Sequence, residues 1–254
     1  MRSFFRKLFY IALVIFAVSI VFGKRFGGFN FFSSSSEQEE SHAGAFELES
    51  EGTPFTRIDI SGNFLVKLRA DDQPAYAVKA SGNHKDKIKA YIEGETLYIS
   101  YKGKNWLSQG FSKQVEVHIQ APELERIEAH GALRLESENT LKVDELDIHV
   151  SGASEADLNI HVDYLDLRAS GASDIDLKGK AQECKLQVSG AGEIDAEELK
   201  TEDMDVSISG AGEARVYVTD ALDVKVSGAG SVKYTGNPKN ISQSISGAGS
   251  VKSR

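Results

Sequence analysis

The stretch Val188-Ser189-Gly190-Ala191-Gly192-Glu193-Ile194-Asp195 decides the fold, because close copies of it recur through the C-terminal half of the chain. One glycine marks each copy. These glycines are Gly131, Gly152, Gly171, Gly190, Gly210, Gly228 and Gly247. By subtraction they are 21, 19, 19, 20, 18 and 19 residues apart. Repeats of nearly constant length are typical of architectures that stack one structural unit on the next.

Apolar residues occupy the same positions in each copy when the copies are aligned on this glycine. Two residues before it stand Ala129, Val150, Ala169, Val188, Ile208, Val226 and Ile245. Four residues after it stand Ala156, Ile175, Ile194, Ala214, Val232 and Val251. Because these positions alternate with polar ones, a short strand with one inward face is predicted on each side of the glycine. Separate antiparallel hairpins also use glycine turns, but they do not need one residue type at each position.

The sequence therefore predicts an all-β protein, a parallel β-helix or solenoid with coils of about 19–20 residues. Each coil consists of a strand, a glycine corner, a second strand and a return, and neighbouring coils stack about 4.8 Å apart. The structural corners are Gly152, Gly171, Gly190, Gly210, Gly228 and Gly247, each inside a Ser-Gly-Ala triplet. Glycine permits a bend that a β-carbon would obstruct. The serine column either forms a hydroxyl ladder or faces water.

The first part of the domain, residues 45–130, predicts irregular coils, whereas residues 131–254 carry the regular Ser-Gly-Ala repeats. Runs of alternating apolar and polar residues indicate strands there too, and Gly62 has the same apolar flanks as the later glycines. An insertion between Gly103 and Ser112 interrupts the strands. Its Trp106 and Phe111 are candidates for an exposed ligand contact, with packing over the coil end as the alternative.

The N-terminus predicts a membrane-directed segment. Arg2, Arg6 and Lys7 precede an uncharged, mostly apolar run over 8–22, and Lys24-Arg25 follows it. We favour an uncleaved signal anchor or transmembrane helix over 1–25, with a cleaved signal peptide as the alternative. Residues 26–44 are polar and low in complexity, so they predict a flexible linker to a β-domain over 45–254.

Composition excludes several classes of function. Asp plus Glu outnumber Lys plus Arg by 38 to 29, and the formal net charge of -9 argues against a nucleic-acid partner. The lone Cys184 excludes an intrachain disulfide and a thiolate metal cluster. The Gly-x-Gly pairs lack the third glycine and the helix of a phosphate-binding loop, so no nucleotide or other cofactor is expected.

Carboxylates also fall in columns, and Asp157, Asp176 and Asp195 lie five residues after their corner glycines. Such a column could recruit Ca²⁺, but it lacks the calcium-binding nonapeptide pattern, and we favour a solvated acidic stripe without a metal. A polysaccharide-cleaving enzyme would need long loops that build a cleft, for which the constant coil length leaves no room. His149 and the other histidines of the repeats are outward surface residues in this interpretation. The chain is predicted not to be an enzyme.

Several segments together resemble a known family: Phe55-Thr56-Arg57-Ile58-Asp59-Ile60-Ser61-Gly62, the repeated Ser-Gly-Ala-Ser/Gly, and Tyr234-Thr235-Gly236-Asn237-Pro238 before the last repeat. The chain resembles the bacterial head GIN domain family of autotransporter-adhesin-like proteins from about residue 46 onward. The resemblance implies a parallel β-helical domain of the bacterial cell envelope, common in Bacteroidetes, and it carries no catalytic residues over to this chain.

These observations predict an adhesin or surface-binding solenoid, held to the membrane by its N-terminal helix, with the C-terminal domain exported to the periplasm or the cell surface. Its partner is expected to be a glycan or another envelope or surface protein. The alternative is an envelope scaffold that assembles edge to edge, or a signalling partner. Gln243, Lys252 and Arg254 in the last coil are expected to protect that edge from further pairing.

Overall fold

The computed structural model describes residues 46–80, 85–102 and 115–254. These residues form twelve β-strands and one 3-10 helix, Lys85–Lys87, which confirms the all-β prediction. The strands are β1 (Phe46–Glu51), β2 (Arg57–Ala70), β3 (Ala75–Ala80), β4 (Ile88–Glu93), β5 (Thr96–Tyr101), β6 (Val115–Ala121), β7 (Arg126–Ser137), β8 (Leu141–Gly210), β9 (Glu213–Gly228), β10 (Ser231–Gly236), β11 (Asn240–Gly247) and β12 (Ser250–Ser253).

The marker glycines pair with one another in register along one sheet. Gly62 of β2 lies opposite Gly131 of β7, which lies opposite Gly152 of β8, and all these strands run parallel. At the other end, Gly210 lies opposite Gly228, and Gly228 lies opposite Gly247. We call each stretch that carries one of these glycines a rung, the strand before the glycine its first leg and the strand after it its second leg.

Strand β8 is 70 residues long and contains several rungs. A β-carbon added to Gly171 would lie 2.4 Å from the carbonyl oxygen of Gly152, and one added to Gly190 would lie 2.5 Å from that of Gly171. At about 3.3 Å per residue an extended strand of that length could not make such contacts with itself. The chain therefore bends at each glycine, where φ lies between 98° and 120° from Gly171 to Gly210, and the rungs stack directly.

The N-terminal end of the sheet is not built in chain order. Strand β5 pairs parallel with the first leg of β2, and β6 pairs parallel with its second leg. Strands β3 and β4 run antiparallel to β6 and β5, and β1 runs antiparallel to β3. Irregular coils of a parallel solenoid were expected for residues 45–130, and these antiparallel pairs show that this part is not built of parallel coils alone. One physical reason is the two-residue connection Gly94-Glu95 between β4 and β5, because such short loops join antiparallel strands.

A single apolar core runs through the rungs from Phe55 to Val232. Along the legs every second side chain is buried, as in Ile58 and Ile60, which are 1% and 0% exposed. The second glycine of each Gly-x-Gly pair faces this core. A β-carbon on Gly230 would lie 2.6 Å from Cγ2 of Ile208, so the β-branched side chain occupies the space that a larger residue would need.

The predicted membrane segment 1–25 and linker 26–44 lie outside the described residues. Among the residues that are described, no helix is long and apolar enough to cross a bilayer.

Candidate ligand groove

The outward side chains of the first legs form columns, because identical positions of successive rungs lie beside one another. Ser189 is exposed and Gln187 is half-buried, whereas Val188 between them is 2% exposed. One residue before the corner glycines the column contains His130, Ser151, Ser170, Ser189, Ser209, Ser227 and Ser246. Three residues before them it contains Glu128, His149, Arg168, Gln187, Ser207, Lys225 and Ser244. The two columns give this face an uncharged serine stripe bordered by larger polar groups.

A cavity of about 520 Å³ lies on this face. One serine from each of five rungs lines it, namely Ser170, Ser189, Ser209, Ser227 and Ser246. Its border is formed by His149, Arg168, Gln187, Ser207, Lys225 and Ser244, and the core residues Ala169, Val188, Ile208 and Val226 also line it. We call this cavity the serine groove. With rungs about 4.8 Å apart, it extends for roughly 20–25 Å along the stack.

Two histidines lie at one end of the serine groove. Nδ1 of His130 and Oγ of Ser151 share a hydrogen bond of 2.7 Å. The imidazole rings of His130 and His149 meet edge to face with their centroids 6.0 Å apart. His149 lies at an outward strand position, as the sequence interpretation expected, and its contact with His130 arises because their 19-residue separation corresponds to one rung of the stack.

Carboxylates lie beyond the histidines, away from the serines. Asp59 of β2 lies opposite Glu128 of β7, and Nε2 of His130 is 3.8 Å from a carboxylate oxygen of Glu128. Burial raises the pKa of Asp59 above its usual value; the charge of His130 lowers it and that of Glu128 raises it further. The charged form of Asp59 is therefore disfavoured in the folded protein.

Replacement of Asp59 by asparagine is expected to stabilise the protein at pH 7. A carboxyl whose pKa is raised on folding contributes stability below its unfolded pKa, of about 3.9, and loses that contribution as the pH rises through the folded value. The asparagine is neutral at every pH, so the gain should be present at pH 7 and vanish near pH 3.5. Urea unfolding midpoints at both values measure it. The exposed Asp157→Asn serves as the control, and an equal effect of Asp59→Asn at both pH values would contradict the explanation.

The groove lining is basic rather than acidic. It contains His149, Arg168 and Lys225 and no carboxylate. The guanidinium of Arg168 donates a 2.6 Å hydrogen bond to Asp166, whose side chain is 9% exposed, and this bond raises the pKa of Arg168. Asp166 thus fixes the guanidinium at the border of the groove. Such a lining can accept hydroxyl groups along its length and an anionic substituent at its border.

The acidic columns of the second legs are paired with cations. Oδ1 of Asp157 is 3.4 Å from Nζ of Lys178, and Oδ2 of Asp195 is 3.0 Å from Nη1 of Arg215. Within residues 46–80, 85–102 and 115–254, no three metal-ligating side chains converge on a point that could hold an ion. The geometry of this face is that of an ion-pair stripe, and the candidate Ca²⁺ ligands Asp157, Asp176 and Asp195 gain no support from it.

Arg215 is the centre of that stripe. Its side chain is only 8% exposed, and its guanidinium contacts Glu193, Asp195 and Glu213. Lys233 extends the network, with Nζ 2.8 Å from the carboxylate of Glu213. Because these residues come from three successive rungs, the network ties the rungs together and has a structural role.

The remaining predicted contact residues are not in the described part of the chain. Trp106 and Phe111 belong to the segment 103–114, which lies outside it. Cys184 is described and fully buried in the core, where burial raises the pKa of its thiol far above the usual value. The thiol is therefore neutral and inaccessible at physiological pH.

Sequence reasoning identified the serine column but not the groove. The signal that could have found it was the column two positions upstream, where His149, Arg168, Gln187 and Lys225 stand. Because these residues all lie three positions before a corner glycine, their shared outward position places their side chains on one face.

Comparison with known proteins supports the same architecture. The profile of the family described as "Putative auto-transporter adhesin, head GIN domain" matches residues 54–238. A crystal structure of a "putative adhesin" from Bacteroides fragilis is similar with a TM-score of 0.76 at 26% identity, over 83% of this chain and 97% of that one. No curated protein matches the sequence.

Two solved structures from Parabacteroides distasonis share the fold at lower identity. One is a "putative adhesin" with a TM-score of 0.69 at 20% identity, over 84% of this chain and 98% of that one. The other is a "Putative lipid binding protein" with a TM-score of 0.63 at 21% identity, over 83% and 97%. At these identities the likeness concerns the fold alone. None of these names is that of an enzyme.

Proposed function

The chain belongs to the head GIN domain family, and from this membership and the serine groove we propose that it is a non-enzymatic, adhesin-like binding protein of the bacterial cell envelope. Its domain is a parallel β-solenoid with coils of about 19–20 residues. The apolar segment over 1–25 anchors it in the membrane, and the polar linker 26–44 lets the exported domain reach its ligand. The names of the family and of the B. fragilis structure support the adhesin assignment.

The ligand that fits the serine groove best is an extended glycan chain. A glycan presents hydroxyl groups at a regular spacing along its length, and each serine hydroxyl can both donate and accept a hydrogen bond. The serines of five successive rungs repeat about every 4.8 Å along the groove. Arg168 and Lys225, three rungs apart, offer cationic contacts to acidic substituents at roughly 14 Å separation.

The single observation that carries this proposal is the continuity of the groove across rungs. A small compact ligand needs a closed pocket that buries most of its surface. The serine groove is open and linear and repeats one hydrogen-bonding group, which favours a polymer over a single small molecule. Summed weak contacts along such a polymer provide affinity through multivalency.

The experiment is binding of the full chain, in detergent or nanodiscs, to an array of bacterial and host glycans. Filling the groove with Ser189→Tyr and Ser209→Tyr together should weaken binding at least tenfold, because both positions are exposed and the rings would occlude the central rungs. Asn159→Tyr with Gln182→Tyr is the matched control, since these exposed polar residues do not line the groove and should leave binding unchanged.

Three results would contradict the proposal in different ways. No glycan binding by the wild-type chain would remove the ligand class, and equal binding by both tyrosine pairs would place the site elsewhere. Cleavage of a bound polysaccharide, measured by release of reducing ends, would overturn the non-enzymatic assignment, and loss of that cleavage in Asp176→Asn with Asp195→Asn would locate the activity on the second legs.

A further inference from the structure

Strand β11 is the first leg of the last rung, and its inward face is uncovered. Among the described strands, β11 pairs only with β9. Ile241 and Ile245 are 46% and 43% exposed, whereas Leu222 and Val226, which lie opposite them in register on β9, are 1% and 2% exposed. Ile241 and Ile245 therefore occupy core positions that are buried in the preceding rung but half-exposed here. They lie beside a row of unpaired backbone groups.

The sequence of this strand is a palindrome. Ile241-Ser242-Gln243-Ser244-Ile245 is identical when read in either direction. In an antiparallel pair of two such strands centred on Gln243, Ile241 of one copy lies opposite Ile245 of the other, and Gln243 lies opposite Gln243. Because each pair joins positions of the same parity, the inward faces of both strands stay on the same side. A shift by one residue would instead place each isoleucine opposite a serine of the outer face.

We propose that β11 is a homodimerisation edge, at which two copies of the chain pair antiparallel around a twofold axis through Gln243. The pairing continues the core of one stack into the core of the other. It covers the exposed isoleucines, and it sets two glutamine amides beside each other, each of which has a donor and an acceptor for the other. A twofold axis makes the contact self-complementary and closed.

Charge favours a second copy of the chain as the partner of β11. Strand β11 contains no charged residue, whereas β9 beneath it carries Asp223 and Lys225 on its outer face, so two β11 strands meet without like-charge repulsion. Arg254, which was expected to protect the edge, is turned away from it, because its guanidinium pairs with Glu197 at 2.8 Å. The opposite end of the sheet is β1, whose sequence FELESE carries three glutamates, so two copies of that edge would repel each other and the β11 dimer would not extend into a filament through β1.

The size of the edge predicts a weak dimer. A standard specific interface buries about 800 Å² per partner with 20–30 residues on each side. The last rung, 240–254, offers about half that number, so a dissociation constant on the order of micromolar or weaker is expected in solution. Anchoring of both copies in one membrane would raise their effective concentration and favour the dimer. This inference does not depend on the ligand of the serine groove.

The test is cysteine crosslinking of the full chain in liposomes. Residues directly opposite each other on antiparallel strands have Cα atoms about 4.5–5.5 Å apart, which a disulfide can span. Gln243→Cys should therefore form disulfide dimers under mild oxidation, while the buried Cys184 of the wild type gives none. A mixture of Ser242→Cys and Ser244→Cys chains should crosslink severalfold more than either variant alone, because these two positions face each other across the axis.

A second variant separates pairing from folding. Ile241→Lys with Ile245→Lys places charges at half-exposed positions, so the fold should persist by circular dichroism while the dimer disappears in sedimentation. Ser207→Cys, at an outward position two rungs before β11, is the crosslinking control. Absence of Gln243→Cys dimers, equal crosslinking by Ser242→Cys alone, or open-ended polymers in sedimentation would each overturn the proposed twofold pairing.

Discussion

Replacement of Gly190 by alanine is expected to destabilise the protein by about 4 kcal/mol and to lower its urea unfolding midpoint accordingly. The added β-carbon would lie 2.5 Å from the carbonyl oxygen of Gly171, inside the distance that any real contact allows. The backbone φ of 119° adds conformational strain of roughly 1–3 kcal/mol, and the clash adds overpacking of similar size. Neither rung can move aside, because each is hydrogen-bonded to a further rung.

The matched control is Gly94→Ala. Gly94 also has a positive φ, of 60°, but a β-carbon there would meet nothing within 4 Å. Its loss should be about 1 kcal/mol, the cost of the left-handed conformation alone. Equal losses for Gly190→Ala and Gly94→Ala would show that backbone conformation, and not stacking, fixes the corner glycines.

Replacement of Arg215 by methionine is expected to cost about 3 kcal/mol of stability. The guanidinium is 8% exposed and contacts three carboxylates, so its removal leaves Glu193, Asp195 and Glu213 close together without their shared cation. Breaking a buried ion network by removing one partner costs about 3–5 kcal/mol, and the partial exposure of Asp195 and Glu213 lowers that value. Chemical unfolding at pH 7 measures it.

Arg134→Met is the control for this prediction. Arg134 also contacts two carboxylates on the second legs, Glu136 and Glu155, but its side chain is 46% exposed, so its loss should cost 1 kcal/mol or less. Adding Glu193→Gln to Arg215→Met should restore part of the lost stability, because it removes the most buried of the three carboxylate charges. If the double variant were no more stable than Arg215→Met, repulsion among the carboxylates would not be the cause.

These predictions separate the structural positions of the repeated motif from the position that faces the serine groove. In Ser-Gly-Ala-Gly the two glycines are required by the stack: Gly190 by the carbonyl of the rung beneath it, and Gly192 by Val188, whose Cγ1 would lie 3.1 Å from its β-carbon. Only Ser189 of the motif faces the groove. A variant of the serine should therefore change binding, and a variant of either glycine should change stability.

The sequence predicted the regular part of the fold because a stacked architecture repeats its physical constraints in every rung. Val188, Ile208 and Val226 are all apolar because equivalent positions of successive rungs pack against one another. One alignment therefore reveals many contacts. Gly62 could be assigned the same frame from its flanking isoleucines. Its in-register neighbour, Gly131, lies 69 residues later, and no periodicity connects two rungs separated by a long excursion.

What the sequence alone determined was thus the all-β class, the inward columns and the corner glycines, because these follow from local alternation and from the period. Tertiary structure decided everything that depends on strands meeting out of order or on side chains meeting across rungs. It alone joined β5 and β6 to β2, placed His130 against His149 and Arg215 among its three carboxylates, and left Ile241 and Ile245 uncovered. The physical reason is that backbone pattern is encoded locally, whereas pairing partners, burial and charge contacts are properties of positions distant in the chain.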